Sequence, residues 1–179
     1  GNSPFNVPVT WFGRPLGSAF PSPHSPKDIK QYHVSNSFHV DLSEFTHAEI
    51  SITQSEHENF HNRPDTIDSR FEAAVLGNGG PNGNLSWNLF DPLANDAQLI
   101  EFIKGSEDSL KIGKLINIDA VIKTLILNTD VVFGFQWSDE SLKVNYNNLG
   151  RAEFDASGKL IKAADLLFLG GGKNVASDR

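Results

Sequence analysis

The pentapeptide His57-Glu58-Asn59-Phe60-His61 is where residue types and spacing come closest to spelling out a piece of chemistry. On a helix, histidines at i and i+4 face the same way and bind zinc, while the glutamate activates the metal-bound water of a hydrolase. Its surroundings argue against that chemistry. The flanks Gln54-Ser55-Glu56 and Asn62-Arg63 give a helix no apolar face to bury, and Pro64 stops it almost at once. A zinc metallohydrolase through His57 and His61 is therefore only the second alternative. Asn78-Gly79-Gly80-Pro81-Asn82-Gly83 and Gly170-Gly171-Gly172 lack the strand-to-helix setting and the Lys-Ser/Thr ending of a phosphate loop, and read as turns. The acidic pairs Asp139-Glu140 and Glu56/Glu58 have no predicted burial to shift a carboxyl toward acid–base work. No catalytic residue, metal ligand or cofactor is assigned, and no residue is singled out as contacting a ligand.

Composition narrows the classes further. The net charge of −7 with scattered Lys and Arg offers no basic face to phosphates, so nucleic acid is not an expected partner. With 0 Cys the chain has no disulfides, thiolate metal sites or cysteine nucleophile. Methionine is absent as well, which suggests a processed chain or an interior stretch of a longer product. No run of about 18 apolar residues exists to make a membrane helix, but a membrane strand needs only about 9–11 residues.

The elements that must position these residues read as strands. Residues 1–32 carry Pro4, Pro8, Pro15, Pro21, Pro23 and Pro26 and are expected to be extended and loop-like. From His33 to Leu42 the chain alternates: Val34, Phe38, Val40 and Leu42 share one parity, and His33, Ser35, Ser37, His39 and Asp41 the other. After Ser43 and Glu44 a second run sets Ala48, Ile50 and Ile52 against His47, Glu49, Ser51 and Thr53, so 33–53 reads as a hairpin. Residues 54–113 read as a long polar loop holding one short helix around Leu99, Ile100, Phe102 and Ile103, capped by Asn95 and ended by Gly105. A third run puts Ile116, Ile118, Ala120, Ile122 and Ile126 opposite Asn117, Asp119 and Lys123. After a turn at Asn128-Thr129-Asp130, Val131, Phe133, Phe135 and Trp137 oppose Val132, Gly134, Gln136 and Ser138. Leu142, Val144 and Tyr146 then change parity, as at a bulge or on leaving an apolar zone. This second hairpin occupies 114–149, and 150–179 reads as loop.

Short turns therefore alternate with a loop of about sixty residues. Transmembrane β-barrels have that organisation, with apolar residues outward and polar residues inward. A secreted soluble β-domain binding a ligand or protein also alternates, and it stands as the first alternative. Trp11-Phe12, Trp87 and Phe90 fall outside the strands and suit either a ligand, a membrane interface or a small loop core.

Several stretches resemble the barrel region of TonB-dependent outer-membrane receptors. They are Asn62-Arg63-Pro64-Asp65 with Arg70-Phe71 and Leu76 to Pro81; Trp87-Asn88-Leu89-Phe90-Asp91-Pro92 followed by Asn95 and leading into Leu99 to Ile103; and Asp119-Ala120-Val121, then Gly134-Phe135-Gln136-Trp137 with Glu140-Ser141-Leu142. Asp165 to Arg179, with Phe168-Leu169-Gly170-Gly171-Gly172, is similar to a later external loop. The order of these short motifs over roughly residues 34–179 carries the resemblance. It implies an all-β chain of antiparallel strands forming part of a transmembrane β-barrel in the outer membrane, with long external loops and one short helix. It also implies a non-enzymatic receptor that imports a scarce solute such as a siderophore or other nutrient. The implied partners are outer-membrane lipid and a TonB complex that acts through a plug absent here. A complete receptor has about 22 strands, so four strands are expected to be a fragment.

Overall fold

The computed structural model describes residues 10–15 and 24–179. The chain is dominated by antiparallel β structure. Its main sheet has the order β1-β2-β3-β4-β7, with β1 Lys27–Ser43, β2 Thr46–Thr66, β3 Lys104–Ile126, β4 Thr129–Tyr146 and β7 Val175–Asp178. A two-stranded sheet pairs β5 Glu153–Phe154 with β6 Leu160–Lys162. The main sheet is open: β1 is one edge, and β7 covers only the end of β4, from Ser141 to Val144 with a reciprocal backbone pair between Glu140 and Arg179 beside them.

Two compact units emerge. Among the described residues, one comprises 10–15, 24–27, 60–110 and 145–174, and the other 28–59, 111–144 and 175–179. In the second unit the strands pair in unbroken register. Lys30 reaches Glu58 (3.2 Å), Tyr32 reaches Glu56 (3.3 Å), Ser35 reaches Thr53 (3.0 Å) and Asp41 reaches His47 (2.6 Å), each step along β1 matched by one back along β2. Thr46 with Thr124 (2.9 Å) and Glu56 with Lys114 (3.2 Å) fix β2 against β3 in the same way. The turn between β3 and β4 is two residues, Leu127 (φ 50°) and Asn128 (φ 62°), both left-handed as a type I′ hairpin requires.

The first unit holds the core. Helix α2, Ala97–Ile103, begins at Asp96, whose carboxylate accepts the amide of Gln98 at 2.7 Å. Leu99 and Ile103, one turn apart, are buried against Phe71 and Ala74 of helix α1, Asp68–Val75, with Trp87 closing the cluster. Phe71 and Trp87 meet edge to face at 5.9 Å, and Trp11 flanks Phe71 at 6.2 Å. Gly79 is required here: a Cβ would come 2.6 Å from Leu99 and 2.7 Å from Ala74, where residue 79 ladders with Leu85.

These elements correct several expected boundaries. The loop expected over 54–113 is much shorter, because β2 runs to Thr66 and β3 begins at Lys104. Cross-strand pairing carries the strands through polar sequence, and Pro64 lies near the end of β2, where it interrupts little. The intervening segment holds two α-helices and a 3₁₀ turn, Pro92–Ala94, rather than one helix. Asn95 does not cap α2; it ties down the 88–92 turn, accepting from Asn88 N (2.7 Å) and donating to Pro92 O (2.9 Å). Of the proline-rich stretch, residues 1–9 and 16–23 lie outside the described residues, and β1 already starts at Lys27. The 150–179 segment contributes three short strands. The turn expected at 128–130 sits at 127–128, and β4 is continuous through the parity change at Leu142, so that change marks the end of an apolar zone.

Ile103 is 0% exposed. Ile103→Ala is expected to cost about 2–5 kcal/mol through the lost contacts and the cavity left behind. Hydrogen exchange at the Trp87 amide, which bonds Ala74 O at 2.8 Å, should accelerate correspondingly; exchange unchanged from the unaltered chain would contradict this core.

Candidate functional site

The feature that stands out chemically is a sheet with two unlike faces. Parity and register together place Val34, Phe38, Val40 and Leu42 of β1, Ala48, Ile50 and Ile52 of β2, Ile116, Ile118, Ala120, Ile122 and Ile126 of β3, and Val131, Phe133, Phe135 and Trp137 of β4 on one side. Among the described residues no second layer covers that side. Phe38 is 60% exposed, Phe135 62% and Trp137 46%, in a contiguous patch far beyond the scattered apolar residues normal on a water-facing surface. The band spans about nine residues on β1 and about eleven on β3, the length that a tilted membrane strand needs. On the same side it stops at the level of Tyr32, Glu56 and Lys114, which hydrogen-bond or ion-pair across the strands, followed by Lys30 with Glu58. Hydrogen bonding and charge from Glu58, with Asp28 adding to it, raise the Lys30 ammonium above its ordinary pKa.

The opposite side carries His33, Ser35, Ser37, His39 and Asp41, with His47, Glu49, Ser51 and Thr53 beside them. His39 approaches Glu49 at 3.6 Å, and Gln136 donates to Asn117 at 3.4 Å. Two hollows lie on this polar side. One of about 450 Å³ is lined by Gln31, Ser55, His57, Leu115, Glu140 and Arg179 among others, and one of about 250 Å³ by His39, Asp41, His47, Glu49 and Lys123. The sheet of this unit is thus hollowed on its polar side.

The sequence candidates for chemistry do not assemble. His57 to His61 lie within β2, so the helix that a zinc motif needs is not formed. In a strand His57 and His61 share a face but sit roughly 13 Å apart at about 3.3 Å per residue, whereas zinc–nitrogen bonds are about 2.0–2.1 Å. Among the described residues no group of three His, Cys, Asp or Glu side chains is arranged to hold a metal. Asn78 to Gly83 is a turn closed by Gly83 N on Gly80 O at 3.1 Å. Trp11 and Trp87 belong to the loop core, whereas Phe12 and Phe90 are exposed.

In the first unit, sequence reading missed a buried polar cluster. Arg63 donates through Nε to Glu107 at 2.9 Å, and Glu107 is 1% exposed. Asp65, fully buried, accepts the amides of Thr66 (2.6 Å), Phe168 (3.2 Å) and Leu169 (2.7 Å). Asp165 in turn accepts Ser69 N (2.8 Å) and Ser69 Oγ (2.6 Å) at the start of α1. Nothing local in Pro64-Asp65 distinguishes this acid from a turn residue, because its partners are a hundred residues away. No helix among the described residues is long and apolar enough to cross a membrane, which leaves strands untouched. No family model, curated protein or solved structure matches the chain.

Asp68 faces three other acids. Partial desolvation, then the charges of Asp165, Glu72 and Asp65, push its carboxyl above the usual carboxylate range. A carboxyl whose pKa is raised by folding opposes folding once ionised. The penalty is present above the folded pKa and vanishes as pH falls below the unfolded one. Asp68→Asn is therefore expected to raise the urea midpoint at pH 7 and to leave it unchanged near pH 3; a gain that persists at pH 3 would refute the electrostatic origin.

Proposed function

We propose that this chain is a wall segment of an outer-membrane β-barrel receptor that binds a scarce solute and admits it across the membrane. The apolar band carries the reading. Four adjacent strands present their apolar side chains on one side over a membrane-strand length, and polar side chains line the hollowed side. Hydrocarbon removes such a surface from water at a gain of roughly 25 cal/mol per Å². The connection lengths agree with barrel topology: β1 to β2 turns at Glu44–Phe45 and β3 to β4 at Leu127–Asn128, while β2 to β3 uses 67–103 and β4 to β7 uses 147–174. In this reading the two long connections are external and supply the solute-contacting surfaces. The unpaired edges of β1 and β4 are where further barrel strands add, since lipid cannot satisfy open backbone groups.

The motif order resembling TonB-dependent receptors extends the proposal. The solute is a siderophore or similar nutrient, energy comes from a TonB complex acting through a plug outside this chain, and no covalent chemistry is involved. The rival is a secreted β-domain whose apolar side is covered by a protein partner.

The absence of native cysteine makes the test direct. With this stretch carried in its complete barrel in lipid vesicles, Phe135→Cys is expected to resist a water-soluble maleimide while Gln136→Cys reacts; equal reaction at both would favour the rival. Phe135→Arg should cost about 2–4 kcal/mol in lipid. Gly134→Lys, where a Cβ meets nothing within 4 Å, should cost little by the same unfolding measurement.

A further inference from the structure

We infer that the connection between β4 and β7 is a strap folded against the polar-parity side of the ends of β2 and β3 within the first unit, that the buried carboxylate of Asp65 latches it, and that its release uncovers those strand ends to solute. The inference rests on the barrel reading and adds to it a releasable strap and the residue that holds it. Arg63, Asp65, Glu107 and Ser109 have the polar parity of β2 and β3, the parity that faces water inside a barrel. Yet Asp65, Glu107 and Ser109 are 0%, 1% and 4% exposed. Residues 147–172 lie against Asp65 and Glu107. Gly150 lies so close to Glu107 that a Cβ would meet its Cγ at 2.6 Å, and Leu149 would meet a Cβ at Gly105 at 3.2 Å. Asn147 donates to Ser106 O at 2.8 Å, Leu167 N to Thr66 O at 2.9 Å, and the Phe168 and Leu169 amides to the Asp65 carboxylate.

The strap is also closed on itself, through Gly172 N on Gly150 O (2.9 Å) and Asp165 N on Leu149 O (2.8 Å). It is therefore a packed element rather than a loose loop. A buried carboxylate that receives backbone amides loses its compensation if they leave, so the latch opens as a unit and at a cost.

The test uses the chain within its complete barrel in lipid vesicles, with single cysteines on a cysteine-free background. Ser109→Cys, buried two residues along β3 from Glu107, should react with a water-soluble maleimide at least about tenfold more slowly than Lys111→Cys, two residues further and exposed. Adding Asp65→Asn to Ser109→Cys should bring the two rates within about twofold. Fast reaction of Ser109→Cys with Asp65 intact overturns the strap without calling on the Asp65 variant to fold. So does slow reaction after Asp65→Asn when hydrogen exchange shows the Phe168 and Leu169 amides released. Phe135→Cys separates the two failures: shielded by lipid, it confines the failure to the strap, and water-reactive, it removes the barrel reading and this inference together.

Discussion

Backbone pairing that never changes register is the constraint on which the other features of the sheet depend, because strand side chains alternate with a period of two and a single-residue slip exchanges the faces. The β3–β4 turn shows what holding that register costs. A three-residue turn at 128–130 with plain pairing beyond it would set Leu127 opposite Val131. Phe133, Phe135 and Trp137 would then lie on the side of Asn117 and Asp119, away from Ile118 and Ile122. The two-residue turn avoids this by placing Leu127 at φ 50°, a left-handed strain of about 1–2 kcal/mol for a side chain with a Cβ. The strain is the cost of keeping Phe133, Phe135 and Trp137 on the side of Ile118 and Ile122.

The polar parity is used in two ways. Within the second unit it is wet, and pairs such as His39 with Glu49 and His47 with Asp41 are solvent-exposed, so each contributes little to stability. In the first unit the same parity is enclosed, and there the polar groups determine structure. Asp65 holds amides from residues 168 and 169, and Asp165 holds the start of α1, so two long connections of unlike sequence are fastened by reciprocal carboxylates. Removing water makes each of those bonds costly to lose, which is why acids rather than apolar contacts locate these segments.

The alternating runs were legible because both faces differ in polarity: Val34 to Leu42, Ile116 to Ile126 and Val131 to Trp137 all lie in strands as read. Legibility failed where the faces no longer differ. Gln54 to Thr66, Phe60 apart, and Lys104 to Ser109 are polar on both parities, so periodicity carries no signal, and neighbouring strands hold them extended. Helix α1 escaped notice for lack of a local marker, its first free amide being met by Asp165 from far along the chain. Asn95 and Asp96 were equally plausible caps by type, and only geometry chose Asp96. The His-Glu-x-x-His spacing was real, but strand geometry spreads what helix geometry would have gathered.

The two-residue turn at Leu127 and Asn128 also divides the chain into places that are sensitive to the parity of inserted length and places that are indifferent to it. Lengthening that turn by an odd number of residues, with the ladder otherwise intact, inverts β4 and sends four large side chains to the polar side; an even number leaves the faces in place. Between residues 81 and 84, at the exposed tip of the first long connection, parity sets no face. An epitope or reporter of any length grafted there is compatible with the sheet, whereas at 127–128 its length must be counted in twos.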